Sequence, residues 1–430
     1  MKRALTKNHI INSYFFLFIF ILVWKFISNI KTGYSKESWN ITEFLINYEG
    51  GFVRRGFLGE IILYIYNFTG IKPYSTIIFI SISAYITLVW FFVKSFIKNG
   101  YTLFILPFVF FLGNPIITDF LIRKDVLLIL IFILTIYLSL KKSKGNLILV
   151  NLSFILGLLI HEGIGFFCFP ILFLILNTRN RSTYNFNWYK TTIISFLQVL
   201  PSIIVFLCVL HFKGSLETAS RIWDSWKPIR FSNQAEGNTT IPAAIDGISW
   251  TLKQGLSLTI NTLKNFDNLI YAPIAWCIII VTIYYILTNT SKLNFKLLNY
   301  EPTKNFNRLN ISNILILQLL VVMPLFILGW DYGRWIFYWV TSSFAIILLV
   351  PEEKISVLFP KIIIAISYKF NYTLDFFLRK SFVLLFCLLV GFCDCSWNLI
   401  NTINSNSFVV ILQFISKVLH HVLLIVKGIV

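Results

Sequence analysis

The sequence predicts an all-α fold, a polytopic transmembrane helix bundle of about 12 spans, each needing roughly 20 apolar residues. Three observations carry that prediction. The 430 residues are 57% hydrophobic and only 13% charged, where soluble chains run near 25% charged. Apolar runs of spanning length recur from end to end. The basic residues are also spread unevenly between the loops on the two sides. A net charge of +19 would suggest nucleic acid in a soluble chain, but here the loops account for it, and no nucleic-acid partner is expected. The whole chain, 1–430, reads as a single integral membrane domain.

The first run, 10–30, carries Trp24 and Lys25 with no small-residue cleavage site after it, so it reads as a retained helix. A polar first outer loop, 31–74, follows. Within it, 39–48 is amphipathic enough for an interfacial helix, and 57–69 reads as a second interfacial or re-entrant helix holding Glu60. Spans are expected at 75–93, 102–118 and 126–140. The apolar stretch 146–176 is too long for one span and is interrupted by His161 and Glu162, which predicts a helical hairpin with that pair at its tip. A span at 191–211 leads to a large outer loop at 212–268, and further spans are expected at 269–288, 312–329, 335–350, 381–400 and 408–426. The stretch 351–380 reads as a partly interfacial loop.

With the amino terminus inside, inner segments hold about 21 of the 37 Lys and Arg, and about 13 of the 18 acids lie outside, in agreement with the rule that basic loops stay inside. The six cysteines fall in apolar runs without the spacing of a disulfide framework or a zinc site. No P-loop or Rossmann glycine motif is present, so a nucleotide-driven pump is not expected.

The chemistry concentrates in 47–60, NYEGGFVRRGFLGE, where Glu49, Glu60, Arg54, Arg55 and four glycines share fourteen residues. Ionisable groups beside a bilayer are functional candidates by default. Three more abrupt polar interruptions fall on the same outer side: DFLIRKD at 119–125, the His161–Glu162 tip, and DYGRW at 331–335. Together they predict the walls of one outward cavity. Glu49, before a Gly-Gly turn, is the expected general base, with Asp119 and Asp125 orienting an acceptor or a metal. His161 and Glu162 are an expected proton-relay pair. Arg54, Arg55, Arg123, Lys124 and Arg334 suit phosphate oxygens, and Trp330, Asp331, Tyr332 and Trp335 suit a sugar ring. Snorkelling arginines, a helix-capping role for Asp125 and an aromatic belt at the membrane boundary are the structural alternatives. A divalent metal is compatible with these acids, though no spacing requires one, and no other cofactor is expected.

EGGFVRRG, RKD, HE and DYGRW, placed as above, resemble the GT-C superfamily of membrane glycosyltransferases and the O-antigen polymerases of the Wzy type. The resemblance covers most of the amino-terminal half and the DYGRW segment. It implies a GT-C-type bundle in the bacterial inner membrane with its active site facing the periplasm. It also implies undecaprenyl-phosphate- or diphosphate-linked sugar donors and a glycan acceptor, and it admits a polysaccharide chain-length regulator as partner. The acid in the first loop of such enzymes is commonly Asp and often paired, whereas Glu49 is a single Glu. A flippase or transporter and a membrane O-acyltransferase using His161 stay open as other classes, as does a structural scaffold.

Overall fold

The computed structural model describes residues 2–36, 38–141, 143–184, 187–227, 240–266, 271–290, 300, 302–329, 331–378 and 382–391. Among them the secondary structure is helical, with no β-strand. The chain begins with α1 (Lys2–Thr32), α2 (Trp39–Thr42), a 3-10 turn at Glu43–Leu45, α3 (Gly56–Thr69) and α4 (Pro73–Lys98). It continues through α5 (Asn114–Ile117), α6 (Asp125–Leu140), α7 (Lys144–Ile160), α8 (Ile164–Tyr184) and α9 (Trp188–His211). The large loop carries α10 (Leu216–Ser225), α11 (Ala243–Asp246), a 3-10 turn at Gly247–Ser249 and α12 (Leu252–Phe266). Then come α13 (Tyr271–Asn289), α14 (Arg308–Leu328), α15 (Tyr332–Leu349), α16 (Glu352–Leu358), α17 (Lys361–Phe377) and α18 (Phe382–Val390).

Four of these helices are long and apolar enough to cross a membrane: Ile11–Thr32, Pro73–Lys98, Trp188–His211 and Arg308–Leu328. Shorter apolar helices, among them Asp125–Leu140 and Gly145–Ile160, pack between them. The predicted hairpin at 146–176 is present as α7 and α8, turning at His161–Gly163. The final expected span, 408–426, and most of 381–400 lie outside the described residues.

The expected span at 102–118 is not a helix. It descends through nested turns, with Leu106 N–H donating to the Leu103 carbonyl, Phe111 N–H to Phe108 and Leu112 N–H to Leu106, and only α5 is helical. Pro107 and Pro115 interrupt the pattern, and a Cβ on Gly113 would sit 2.1 Å from the Pro107 carbonyl oxygen. The segment runs alongside α1 in the same direction, with Phe104 beside Phe15, Phe108 beside Phe18, and Asn29 donating to the Ile116 carbonyl. Irregular backbone is tolerated in an apolar bundle only where protein encloses it. Here nearly every residue of the segment is buried, and the Tyr85 hydroxyl donates to the Leu112 carbonyl at 2.8 Å. Phe92, Phe111 and Phe344 stack around it, joining α4 and α15.

Two further expectations change. The 39–48 stretch is not one interfacial helix but α2, a 3-10 turn and loop, with residues 41–47 all buried. The 351–380 loop is largely helical, as α16 and α17. The buried stretch is held from above by the large loop, where Trp226 Nε1 donates to the Leu45 carbonyl at 2.8 Å and Asn47 Nδ2 to Ser225 Oγ at 2.8 Å. From the other side α3 comes so close that a Cβ on Gly59 would lie 1.9 Å from the Ile46 carbonyl oxygen. Gly59→Ala therefore forces two backbone segments apart and should cost at least about 2 kcal/mol. Gly255→Ala, in α12 with nothing within 4 Å of its Cβ, should be neutral or stabilising by about 0.5–1 kcal/mol. Thermal unfolding of the two variants in detergent checks the contrast.

Candidate functional site

At the end of the bundle where α1 finishes, five chain segments bring charged side chains together. The loop before α3 supplies Arg54 and Arg55. The loop is closed by the Glu60 carboxylate, which accepts from Tyr48 N–H at 2.9 Å, and pinned by Arg54 N–H donating to the Phe212 carbonyl. Arg55 has φ of 68°, a left-handed conformation that costs a non-glycine residue about 1 kcal/mol. That conformation starts α3 and turns the Arg55 fork onto Glu162, with Nε 2.9 Å from Oε2 and 3.1 Å from Oε1, and Nη2 also bonded to Oε1. Arg54 Nη1 lies 3.6 Å from Glu162 Oε1, and its Nη2 donates to the Gly247 carbonyl.

Beneath this pair lies Glu43, fully buried in the 3-10 turn. Its Oε1 is 3.5 Å from His161 Nε2 and 3.8 Å from Arg55 Nη1, while its Oε2 is buried without a hydrogen-bond partner. Burial alone would raise the Glu43 carboxyl, but His161 when protonated, Arg55, Lys124 and Arg334 hold it at about 2. His161 Nδ1 accepts from Gly163 N–H at 3.0 Å, which assigns the proton of the neutral ring to Nε2, facing Glu43. Burial, reinforced by Arg55, pushes His161 down to about 4. Lys124 is fully buried just ahead of α6, and its Nζ donates to the Arg55 carbonyl at 3.0 Å. Burial, and Arg55 beside it, lower it to about 8 against the pull of Glu43.

A second group adjoins the first through consecutive residues 123 and 124. Arg334, in the first turn of α15, donates from Nε to both Asp125 oxygens at 3.0 and 3.2 Å and from Nη1 to Asp331 at 2.7 Å. Arg123 lies 3.3 Å from the same Asp331 oxygen and donates from Nε to Asn40 at 2.7 Å. Phe120 covers both guanidinium groups, and Trp335 lies 5.1 Å from that of Arg334. Burial opposes ionisation of Asp331, yet Arg123 and Arg334 hold its carboxyl below the usual range.

All four predicted polar interruptions thus contribute to one cluster, packed as ion pairs rather than lining an open cavity. Glu49, the expected base, is exposed and has no ion pair to the cluster. Asp119 stands to one side: φ is 61°, its carboxylate accepts from Asn29 at 3.2 Å, and burial raises its carboxyl. Asn40 ties the Asp119 carbonyl to Arg123. Tyr332 packs on Trp276 and Phe326, and Trp335 donates from Nε1 to the Gly329 carbonyl, so both rings face the interior. Trp330 lies outside the described residues. Among the described residues, no group of three or more His, Cys, Asp or Glu side chains is arranged to hold a metal ion. The residues that the sequence reading missed are Glu43 and Asn40. The available signal for Glu43 was an acid embedded between Ile41, Phe44 and Leu45, on a face that has to be buried.

The buried histidine makes stability pH-dependent. Its pKa falls from 6.5 to about 4 on folding, so the unfolded chain takes up the proton first. The contribution is whole above pH 6.5 and is lost as pH falls towards about 4, up to about 3 kcal/mol. Thermal unfolding in detergent should show this loss between pH 6.5 and 4.5, and His161→Gln should flatten the profile over that window. Compared with known protein families, with curated proteins and with solved structures, the chain matches none.

Proposed function

We propose that the chain is a glycosyltransferase or polymerase of surface polysaccharide, a GT-C-type bundle of about 12 spans in the bacterial inner membrane. It takes undecaprenyl-linked sugar donors and a glycan acceptor on the periplasmic face. The observation that carries this reading is the convergence at one end of an apolar bundle of five cations, Arg54, Arg55, Arg123, Lys124 and Arg334, with four carboxylates, among them Glu43 with one unpartnered oxygen. Cations suited to phosphate and a carboxylate able to take a proton are what glycosyl transfer from a phosphate carrier needs. The resemblance of EGGFVRRG, RKD, HE and DYGRW to such enzymes supplies the lipid carrier.

In the proposed step, the phosphate takes up Arg55 and Lys124, which relieves the hold that keeps Glu43 at about 2, and Glu43 rather than Glu49 is then the base. Its Oε2 accepts the acceptor hydroxyl proton as that oxygen bonds to the anomeric carbon. The bond from the anomeric carbon to the phosphate oxygen breaks, and the phosphate leaves with the electron pair onto the cations. His161 holds Glu43 from the other side through Nε2. An acyltransferase built on His161 is less well supported. That mechanism needs a free imidazole lone pair, and Nδ1 is already engaged by Gly163 N–H. Transport is also disfavoured, because the charged network sits at one end and not in broken helices at mid-bundle.

The test is the profile of lipid-linked and exported glycans in the native host, with the gene deleted and then complemented. Glu43→Gln and Arg54→Ala, at normal membrane levels, should lower product at least about 100-fold, whereas Glu49→Gln should restore it. Restoration by Glu43→Gln with failure of Glu49→Gln would return the base role to Glu49. An unchanged backbone lacking acyl groups would favour the acyltransferase.

A further inference from the structure

The cluster is built twice on one plan. In each half one guanidinium, Arg55 or Arg334, bridges a deep carboxylate and a second, less buried outer carboxylate, and a further guanidinium, Arg54 or Arg123, meets the outer carboxylate alone. In the first half the deep acid is Glu43, with side-chain exposure of 1%, and the outer acid is Glu162, at 10%. In the second half the deep acid is Asp125, at 2%, and the outer acid is Asp331, at 22%. The deep acids belong to regular structure, the 3-10 turn and the start of α6. Both outer acids belong to short connections between antiparallel helices, α7 to α8 and α14 to α15, where a small backbone change can swing a side chain. Glu162 takes the whole Arg55 fork and one nitrogen of Arg54, and Asp331 takes one nitrogen each from Arg123 and Arg334. These are the donors that a phosphate would need.

We propose that Glu162 and Asp331 are internal stand-ins for the substrate's anion: each carboxylate fills one phosphate subsite and is displaced when a phosphate group binds. This rests on the phosphate-carrier reading above and adds to it an assignment for both outer acids. Glu162 is then a determinant of affinity rather than half of a proton relay, and Asp331 a determinant of affinity rather than a sugar ligand. The deep acids keep the cations aligned while the outer ones leave. Every anion that enters exchanges with a carboxylate already present, so intrinsic affinity is held down and product release is eased.

A purely structural role for these acids predicts the opposite sign on mutation. Losing a partner that merely holds the arginines in place would loosen the subsite and weaken binding. Losing a competitor strengthens it.

The experiment is equilibrium binding of farnesyl phosphate to the purified full-length chain in detergent, with farnesol as the uncharged control, for wild type, Glu162→Gln and Asp331→Asn. Each isosteric change removes a charge and keeps the shape, and size-exclusion elution reports folding. Both variants should bind farnesyl phosphate about tenfold more tightly than wild type, with farnesol binding unchanged. If one variant fails to fold, the other decides. Unchanged or weaker binding in a folded variant would overturn the stand-in role while leaving the phosphate site intact. Absence of phosphate-dependent binding in wild type and folded variants alike would overturn the phosphate-carrier reading along with it.

Discussion

The Arg55–Glu162 fork is the contact on which the rest of the upper end of the bundle depends, because it joins the loop before α3 to the tip of the α7–α8 hairpin. An ion taken from water into such surroundings loses several kcal/mol of hydration, recovered only when a partner meets it in good geometry. Arginine suits that role because its planar fork meets both carboxylate oxygens at once and stays charged where a lysine would give up its proton. The neighbouring Lys124 shows the contrast, held near 8 by its burial. The left-handed Arg55 backbone is the local cost of aiming the fork, and α3 begins where it does because of it.

From that contact the remaining pieces follow in sequence. Arg55 presents its carbonyl to Lys124, and the positions beside Lys124 deliver Arg123 and Asp125 to Asp331 and Arg334. The irregular segment after α4 brings these residues to the right height. Seventeen residues wound as nested turns run beside the part of α1 from Phe15 to Asn29, and they finish at Asp119 beside Asn29 and Asn40. Aromatic packing of Phe108, Phe111 and Phe344 replaces the regularity that a helix would have provided.

Much of this arrangement was legible in the amino acids. The 146–176 stretch is too long for one span and too polar at its middle to be straight, and the turn falls at His161 and Glu162 as that length requires. The four polar interruptions could be placed on one side because loop charge is asymmetric, although their mutual distances could not be read. Two features escaped for physical reasons. The run at 102–118 has the hydrophobicity of a span, and hydrophobicity reports burial rather than helicity; Pro107, Gly113 and Pro115 were the signs against a helix. Glu43 was hidden because an amphipathic reading of 39–48 assigns acids to solvent, while Trp226 and Asn47 bury that stretch through contacts with residues about 180 positions away. Glu49, conspicuous beside its glycines, is the acid left in water.

Arg55 and Glu162 act as one unit that holds the upper end together until a phosphate takes the place of the carboxylate. A double-mutant cycle of Arg55→Ala, Glu162→Ala and both together, read by reversible unfolding in detergent, tests it most directly. Each single change should cost about 3–5 kcal/mol, the double should cost little more than either alone, and the coupling should exceed about 2 kcal/mol. Additive losses, with coupling below about 0.5 kcal/mol, would contradict it.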